Sequence, residues 1–221
     1  SWSTNAIEGN TLSLEETIAV LDYDEVRSNH TYSEYTDAKN AYYAIRKMLL
    51  PFEKTAIDEE WIKKANGYIR HMQGEYREIA VYIGNLAESV YYPPDPQDIP
   101  ALMKNWIRET NIEAATVKEV FEKIAASHVR FERIHPFSDG NGRTGRMIVN
   151  QQLINNGFLP VSIPPTGKYR EAFRRYDKRG DLSEMIYVLA KSELESFDRV
   201  CSLALKLSKD REKQKKEMKY L

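Results

Sequence analysis

The sequence predicts an all-α domain carrying one small β-hairpin. Apolar residues recur at helical spacing through most of the 221 residues, and only one short stretch alternates with a period of two. Prolines cluster in the stretches between the periodic runs. With 42% hydrophobic and 29% charged residues, the chain has the composition of a globular protein with a substantial core.

Taken in order, the first ten residues hold Thr4 and Glu8 one helical turn apart. Only three residues precede Thr4, so this turn is expected to be loosely anchored. Asn10 or Thr11 then caps a helix with Leu14, Ile18 and Leu21 on one face and Glu15 and Glu16 in its first turn. A longer helix from about Thr36 carries Ala38, Tyr42, Ile45 and Leu49 and stops at Pro51. Asp58 caps a third, with Ile62, Ala65, Ile69 and Met72 in line and Gly74 as its end.

The period then changes. Ile79, Val81 and Ile83 alternate with Ala80 and Tyr82, Gly84-Asn85 gives a turn, and Val90-Tyr91-Tyr92 follows before a run of prolines. This reads as a short surface hairpin; the alternative is an irregular loop beneath a helix. Helices resume after Pro100 with Leu102, Met103, Trp106 and Ile107. A longer one has Val117, Val120, Phe121, Ile124, Ala125, His128 and Phe131 on its stripe. Met147, Ile148, Leu153 and Ile154 describe a buried helix ended by Gly157 in the left-handed conformation. Tyr169, Ala172, Phe173 and Tyr176 mark the next helix. Ile186, Leu189, Ala190, Leu194, Phe197 and Cys201 mark the last. The expected division is an N-terminal segment 1–10, a helical domain 11–205, and a lysine-rich helix or tail 206–221.

Charge and cysteine content narrow the function classes. A net charge of −1 exerts no global pull on nucleic acid or membrane. The tail lacks aromatics interleaved with its lysines, apart from Tyr220. One cysteine, Cys201, cannot form an internal disulfide or a cysteine-rich metal site. No apolar run reaches the length of a membrane span, and the chain opens Ser1-Trp2-Ser3 without a charged-then-apolar leader. A cytoplasmic setting is the expectation.

The chemistry concentrates in His135-Pro136-Phe137-Ser138-Asp139-Gly140-Asn141-Gly142-Arg143-Thr144-Gly145-Arg146. Gly140, Asn141 and Gly142 lead into a helix, whose first turn offers unpaired N–H groups and the positive end of the dipole. Glycine permits close approach of an anion there, so the turn suits phosphate. Arg143 and Arg146, three apart, can grip phosphates from nearby faces. Asp139 can hold a hard cation that shares phosphate oxygens. His135, ordinarily titrating near 6.5, can accept a hydroxyl proton at cell pH. Each feature alone has a plain structural reading: a helix cap, a turn, a solvated face. Together they describe nucleophile activation beside a metal-bound polyphosphate. Eight fixed positions at roughly 5% usage each give a chance match of about 10⁻¹⁰ per window.

This run matches at every fixed position the signature His-x-Phe-x-Asp/Glu-Gly-Asn-Gly-Arg-x-x-Arg, and the chain resembles the Fic family over nearly its whole length. The resemblance implies a Fic-type helical domain with a β-hairpin flap near the active site. It also implies transfer of AMP, or another nucleotide-derived group, to hydroxyl side chains of proteins. In that scheme His135 deprotonates a Ser, Thr or Tyr, Phe137 anchors the loop, and Asp139 holds Mg²⁺ between the α- and β-phosphates of ATP. Gly140, Asn141, Gly142 and neighbouring amides form the anion nest; Arg143 assists it and Arg146 meets the γ-phosphate. Gly142 stands where the phosphotransferring Doc-like branch has lysine, which favours nucleotide transfer. Ile79, Val81 and Ile83 resemble the flap that docks a target segment by strand addition. Tyr169, with Tyr176 a weaker candidate, falls where the family surrounds the adenine, though a core aromatic is an equal reading.

Thr4-Asn5-Ala6-Ile7-Glu8-Gly9 is similar to the inhibitory motif Ser/Thr-x-x-x-Glu-Gly/Asn of autoinhibited members. By that likeness Glu8 pairs with Arg146 and takes the γ-phosphate position. The expected partners are ATP and a hydroxyl-bearing target protein, with a homodimer compatible and neither nucleic acid nor membrane involved. Three other readings stay open: Glu8 orienting a water that hydrolyses AMP from a modified protein, another nucleotide as donor, and a non-catalytic module using the hairpin edge. A zinc site on His128 and His135 is remote, because no cysteine cluster completes it.

Overall fold

The computed structural model describes residues 1–25, 29–84, 91–111 and 114–217. Its helices are α1 (Trp2–Ile7), α2 (Leu14–Tyr23), α3 (Tyr32–Met48), α4 (Glu59–Arg70), α5 (Ile99–Thr110), α6 (Val117–Ile134), α7 (Asn141–Asn155), α8 (Gly167–Arg179) and α9 (Ser183–Glu217). A 3-10 turn over Pro96–Asp98 precedes α5. None of the described helices is long and apolar enough to cross a membrane.

α6 and α7 are the centre of the fold, because each faces two cores. On one side, Phe131, Ile134, Met147 and Ile148 pack with Ile62 and Ile69 of α4 and with Met103 and Trp106 of α5. On the other, Ile124, Val129, Val149 and Leu153 meet Tyr169 and Ala172 of α8 and Met185 and Leu189 of α9. The indole N–H of Trp106 donates to Ser127 O at 2.9 Å, so this fully buried ring keeps its polar atom satisfied. The loop that joins α6 to α7 is residues 135–140, and its Phe137 is buried in the first of these cores.

Several boundaries differ from the sequence expectation, and local side chains explain them. α2 is capped by Ser13, whose hydroxyl accepts from Glu16 N while Glu16 accepts from Ser13 N. α3 starts at Tyr32 through the same reciprocal box between Thr31 and Glu34. Asn10 and Thr11 serve elsewhere: Asn10 Nδ2 donates to Glu34 O and Thr11 N to the Glu34 carboxylate. The buried stripes rotate accordingly. Leu14 and Ile18 are exposed while Thr17 and Val20 are buried, and α3 buries Tyr35, Ala38, Ala41 and Ala44. α4 ends at His71, held left-handed at φ 53°, rather than at Gly74, and Met72 is exposed.

The hairpin is reduced among the described residues to one antiparallel bridge. Ile83 N donates to Tyr91 O at 2.8 Å and Tyr91 N to Ile83 O at 2.9 Å. Residues 79–82 form no regular strand, and Ile79 is exposed rather than part of an alternating face. Asn85 and Val90, the expected turn and returning strand, lie outside the described residues.

Two terminal expectations change. α1 is firmly docked: Trp2 Nε1 donates to Leu12 O, the Ser3 hydroxyl meets that of Ser162 at 2.7 Å, and Asn5 Nδ2 donates to Asp37 O. α9 runs unbroken across position 205, and Leu194, Phe197 and Cys201 are exposed, so its buried stripe ends earlier than the sequence suggests.

Candidate active site

His135 caps the C-terminus of α6 in the left-handed conformation, φ 50° and ψ 59°. Its Nδ1 lies 3.4 Å from Glu132 O. A carbonyl only accepts, so this contact places the ring proton on Nδ1 and leaves Nε2 with a free lone pair. Burial lowers the His135 pKa to about 4; the Glu132 carbonyl and the Glu8 charge oppose that shift, while Arg77 and Arg133 add to it. The imidazole is thus neutral at cell pH and able to take a proton.

The loop after His135 is closed by Asn141. Its side chain accepts from Phe137 N at 2.9 Å and donates to Phe137 O at 2.7 Å. The Phe137 ring is buried against Tyr76 at 5.6 Å between centroids. The Asn141 side chain therefore faces back into the loop, and only its backbone remains to serve an anion. This narrows the expected nest to main-chain groups. Asn66 of α4 adds a bond from Nδ2 to Asp139 O at 3.0 Å.

Gly140 turns the chain at φ 79°, and the first helical bond of α7 runs from Thr144 N to Gly140 O. The amides of Asn141, Gly142 and Arg143 consequently have no acceptor within the helix. Glu8 stands over them. A Cβ built on Gly142 would lie 2.3 Å from Glu8 Oε1, so glycine is what allows a carboxylate oxygen to approach.

Arg146 is the anchor of this arrangement. Nη2 donates to Glu8 Oε1 at 2.6 Å and to Thr4 O at 2.9 Å, and Nε donates to the Thr4 hydroxyl at 2.7 Å. Thr4 and Glu8, one turn apart, hold one guanidinium between them. Arg143 is committed differently: Nη1 donates to Asp37 of α3 at 2.6 Å, with Asp139 Oδ1 at 3.9 Å from Nη2. Asp139 itself is exposed, pairs with Arg70 at 2.5 Å and accepts from Gly140 N.

Beneath Arg146 lies a buried polar layer. Tyr169 is only 4% exposed; its hydroxyl is 2.7 Å from His128 Nε2 and 3.4 Å from Arg146 Nη1. It packs behind the arginine as part of the α6–α8 core, in keeping with the core aromatic that was one of its two expected readings; Tyr176 is half-buried at the same core. Burial lowers His128 to about 3 and raises Glu132 to about 7.

Of the expected residues, His135, Gly140, Gly142, Arg146, Thr4 and Glu8 converge on one site, and Asp139 stands on the same loop. Sequence reading missed Asn66, Asp37, Arg77 and Glu132. Glu132 had a visible signal, a carboxylate on the apolar stripe of α6. Arg77 had none, since a single arginine in a polar segment resembles any solvated one. Arg77 donates to His135 O, Ile79 O and Pro94 O at 2.9, 2.8 and 2.6 Å, joining the bridge segment to the loop.

Comparison with known proteins agrees with this fold. Residues 56–153 match the Fic/DOC family. The chain is 30% identical over 218 residues to protein adenylyltransferase fic-1 of Caenorhabditis elegans, covering 95% of this chain and 42% of that protein. It is 28% identical over 205 residues to protein adenylyltransferase Fic of Drosophila ananassae, covering 89% and 40%. Among solved structures, Fic-1 from C. elegans aligns with a TM-score of 0.76 at 26% identity, over 94% of this chain and 62% of that chain. A Fic domain containing signaling protein from Bacteroides thetaiotaomicron aligns at 0.71 and 26%, over 85% and 74%. The chain spans about two fifths of the length of these curated relatives.

Proposed function

The chain carries a domain of the Fic/DOC family, and from that premise we propose that it is a protein adenylyltransferase, moving AMP from ATP to a Ser, Thr or Tyr hydroxyl of a protein target or of itself. The observation that carries this reading is the pairing of a neutral base with an anion cradle on one loop. His135 keeps a free Nε2, and six residues on the amides of α7 begin, backed by a buried arginine that already grips a carboxylate.

The chemistry balances on these groups. The target hydroxyl oxygen forms a bond to the α-phosphorus, and its proton passes to His135 Nε2. The bond from that phosphorus to the bridging oxygen breaks, and pyrophosphate leaves. Amides of Asn141, Gly142 and Arg143 receive the phosphate oxygens, with Arg146 on the γ-phosphate.

The donor set also fits Mg²⁺. Among the described residues no cluster of three His, Cys, Asp or Glu side chains exists. A hard cation at Asp139 would therefore complete its shell with phosphate and water, as magnesium commonly does. Bound there it would neutralise charge on the phosphates; Arg70 would release Asp139 to make room.

Glu8 acts as the lock. Its carboxylate meets Arg146 where a γ-phosphate oxygen would, and a carboxylate hydrogen-bonded to a buried guanidinium is a strong competitor for it. The bond strips Arg146 of its role until α1 moves.

The test is mass spectrometry of Glu8→Gly and Glu8→Gly/His135→Ala after incubation with Mg²⁺ and a panel of ATP, GTP, UTP and CDP-choline, target proteins supplied. AMP on protein from ATP alone, lost with His135→Ala, supports the reading. Full activity without His135 removes the base assignment, and no adduct from any donor removes transferase activity.

A further inference from the structure

We propose that Arg77 is a positioning residue for the transfer reaction, holding the target-docking segment at a fixed distance from His135. The inference rests on the adenylyltransferase reading and names a residue outside the signature. Arg77 is 3% exposed and forms no ion pair among the described residues; Asp95 bears on it only electrostatically. Instead its guanidinium is spent on three carbonyls belonging to three places. Nε binds His135 O, Nη1 binds Ile79 O at the start of the docking segment, and Nη2 binds Pro94 O where that segment returns. Its own N–H donates to Pro136 O at 2.9 Å.

The consequence follows from backbone geometry. His135 sits at φ 50° and ψ 59°, a region that non-glycine residues rarely occupy and that must be imposed by surroundings. The guanidinium holds the His135 carbonyl and the Arg77 main-chain N–H holds that of Pro136, which together fix ψ of His135 and the course of the backbone from which its imidazole projects. The same planar group fixes the two stems that the Ile83–Tyr91 bridge joins. Guanidinium directs its donors in a rigid fork; lysine, with a compact ammonium on a flexible stem, cannot serve three diverging acceptors in this way. A target segment laid along the Ile83 edge would present its hydroxyl to the base only if this spacing holds. ATP meets a different surface, the start of α7 and Arg146, so nucleotide binding should not depend on Arg77.

The experiment compares Glu8→Gly with Glu8→Gly/Arg77→Lys and Glu8→Gly/Arg77→Gln. It reads three quantities: AMP transfer to the protein itself, ATP affinity by calorimetry, and the titration midpoint of His135 by imidazole NMR, assigned with His135→Ala. We expect transfer to fall at least tenfold in both Arg77 variants with ATP affinity within twofold, and Arg77→Lys to give no rescue. We also expect the His135 midpoint to rise in Arg77→Gln above that of the Glu8→Gly parent, which itself lies below the wild type's because the Glu8 charge raises it; Arg133 is the other charge bearing on that ring. Transfer at the parental rate, or transfer and ATP affinity falling together, overturns the proposal. If the Glu8→Gly parent itself transfers nothing, the transferase reading has failed. Arg77→Lys then decides, because it keeps the charge and loses the fork: a His135 midpoint that moves in that variant supports positioning, and one that stays at the parental value overturns it.

Discussion

Glu8 Oε1 and Arg146 Nη2 are 138 positions apart in the chain and 2.6 Å apart in the fold. Arg146 is buried, whereas the Glu8 side chain keeps 41% of its surface exposed. The pair is thus asymmetric: the arginine cannot leave, and the carboxylate can. That asymmetry is what an exchange of Glu8 for a phosphate oxygen requires.

The pH dependence of transfer should betray the buried base. Burial holds His135 near 4, and loss of the Glu8 charge moves it no higher, because that charge raises it. A base is active when unprotonated, so activity falls as pH drops through its pKa. Glu8→Gly should therefore show no loss of rate attributable to His135 between pH 8 and about 5, with a decline near 4. Initial rates across that range check it; an inflection near 6.5 would mean a solvated imidazole.

Stability should show two opposing slopes. His128 and His135 have depressed pKa values, so the unfolded chain binds more protons than the folded one between about 4 and 6.5, and stability rises with pH across that window. Glu132 is raised to about 7 by burial, so the folded chain binds the extra proton and stability falls between its ordinary value and 7. Glu132→Gln should remove the second slope. It should stabilise the protein above pH 7 by on the order of 3 kcal/mol at roughly 1.4 kcal/mol per unit, and leave it unchanged below pH 4. Denaturant titrations at pH 4, 6 and 8 read this directly.

Asn141→Ala tests how the loop is built. The substitution removes both bonds to the Phe137 backbone, where the surroundings are buried. Each group left unsatisfied costs about 1–3 kcal/mol, so the melting temperature should drop by several degrees and ATP affinity should fall with it. A variant as stable as wild type would show that the loop has another support.

Gly142→Ala and Glu8→Gly should be coupled. The added Cβ would lie 2.3 Å from Glu8 Oε1, so in the wild type it expels the carboxylate and destabilises α1 docking. With Glu8 removed only the 3.1 Å approach to Arg146 Nη1 remains, which a small shift of that side chain relieves. A double-mutant cycle should return a coupling on the order of 1 kcal/mol; strict additivity would place Glu8 elsewhere in solution.

How much of this was legible in the sequence varies by residue. His135 to Arg146 announces itself because the chemistry is contiguous, and Thr4 with Glu8 because one turn separates them. The helices were legible from their apolar period, while their starts were misplaced where the Ser13–Glu16 and Thr31–Glu34 boxes went unread. Tyr169 stayed open between two readings because an aromatic on an apolar stripe carries no mark of which side it faces; here it meets His128 and Arg146. Arg77 was invisible, since its partners are main-chain carbonyls, which no sequence pattern encodes. The hairpin was overread: alternation at Val81 and Ile83 persists in partial burial, but only one bridge forms among the described residues.

The most direct test is the initial rate of AMP incorporation with saturating ATP and Mg²⁺, wild type against Glu8→Gly. Freeing Arg146 should raise the rate at least tenfold. Equal rates in the two proteins would contradict the lock, and no incorporation by either would contradict the enzyme.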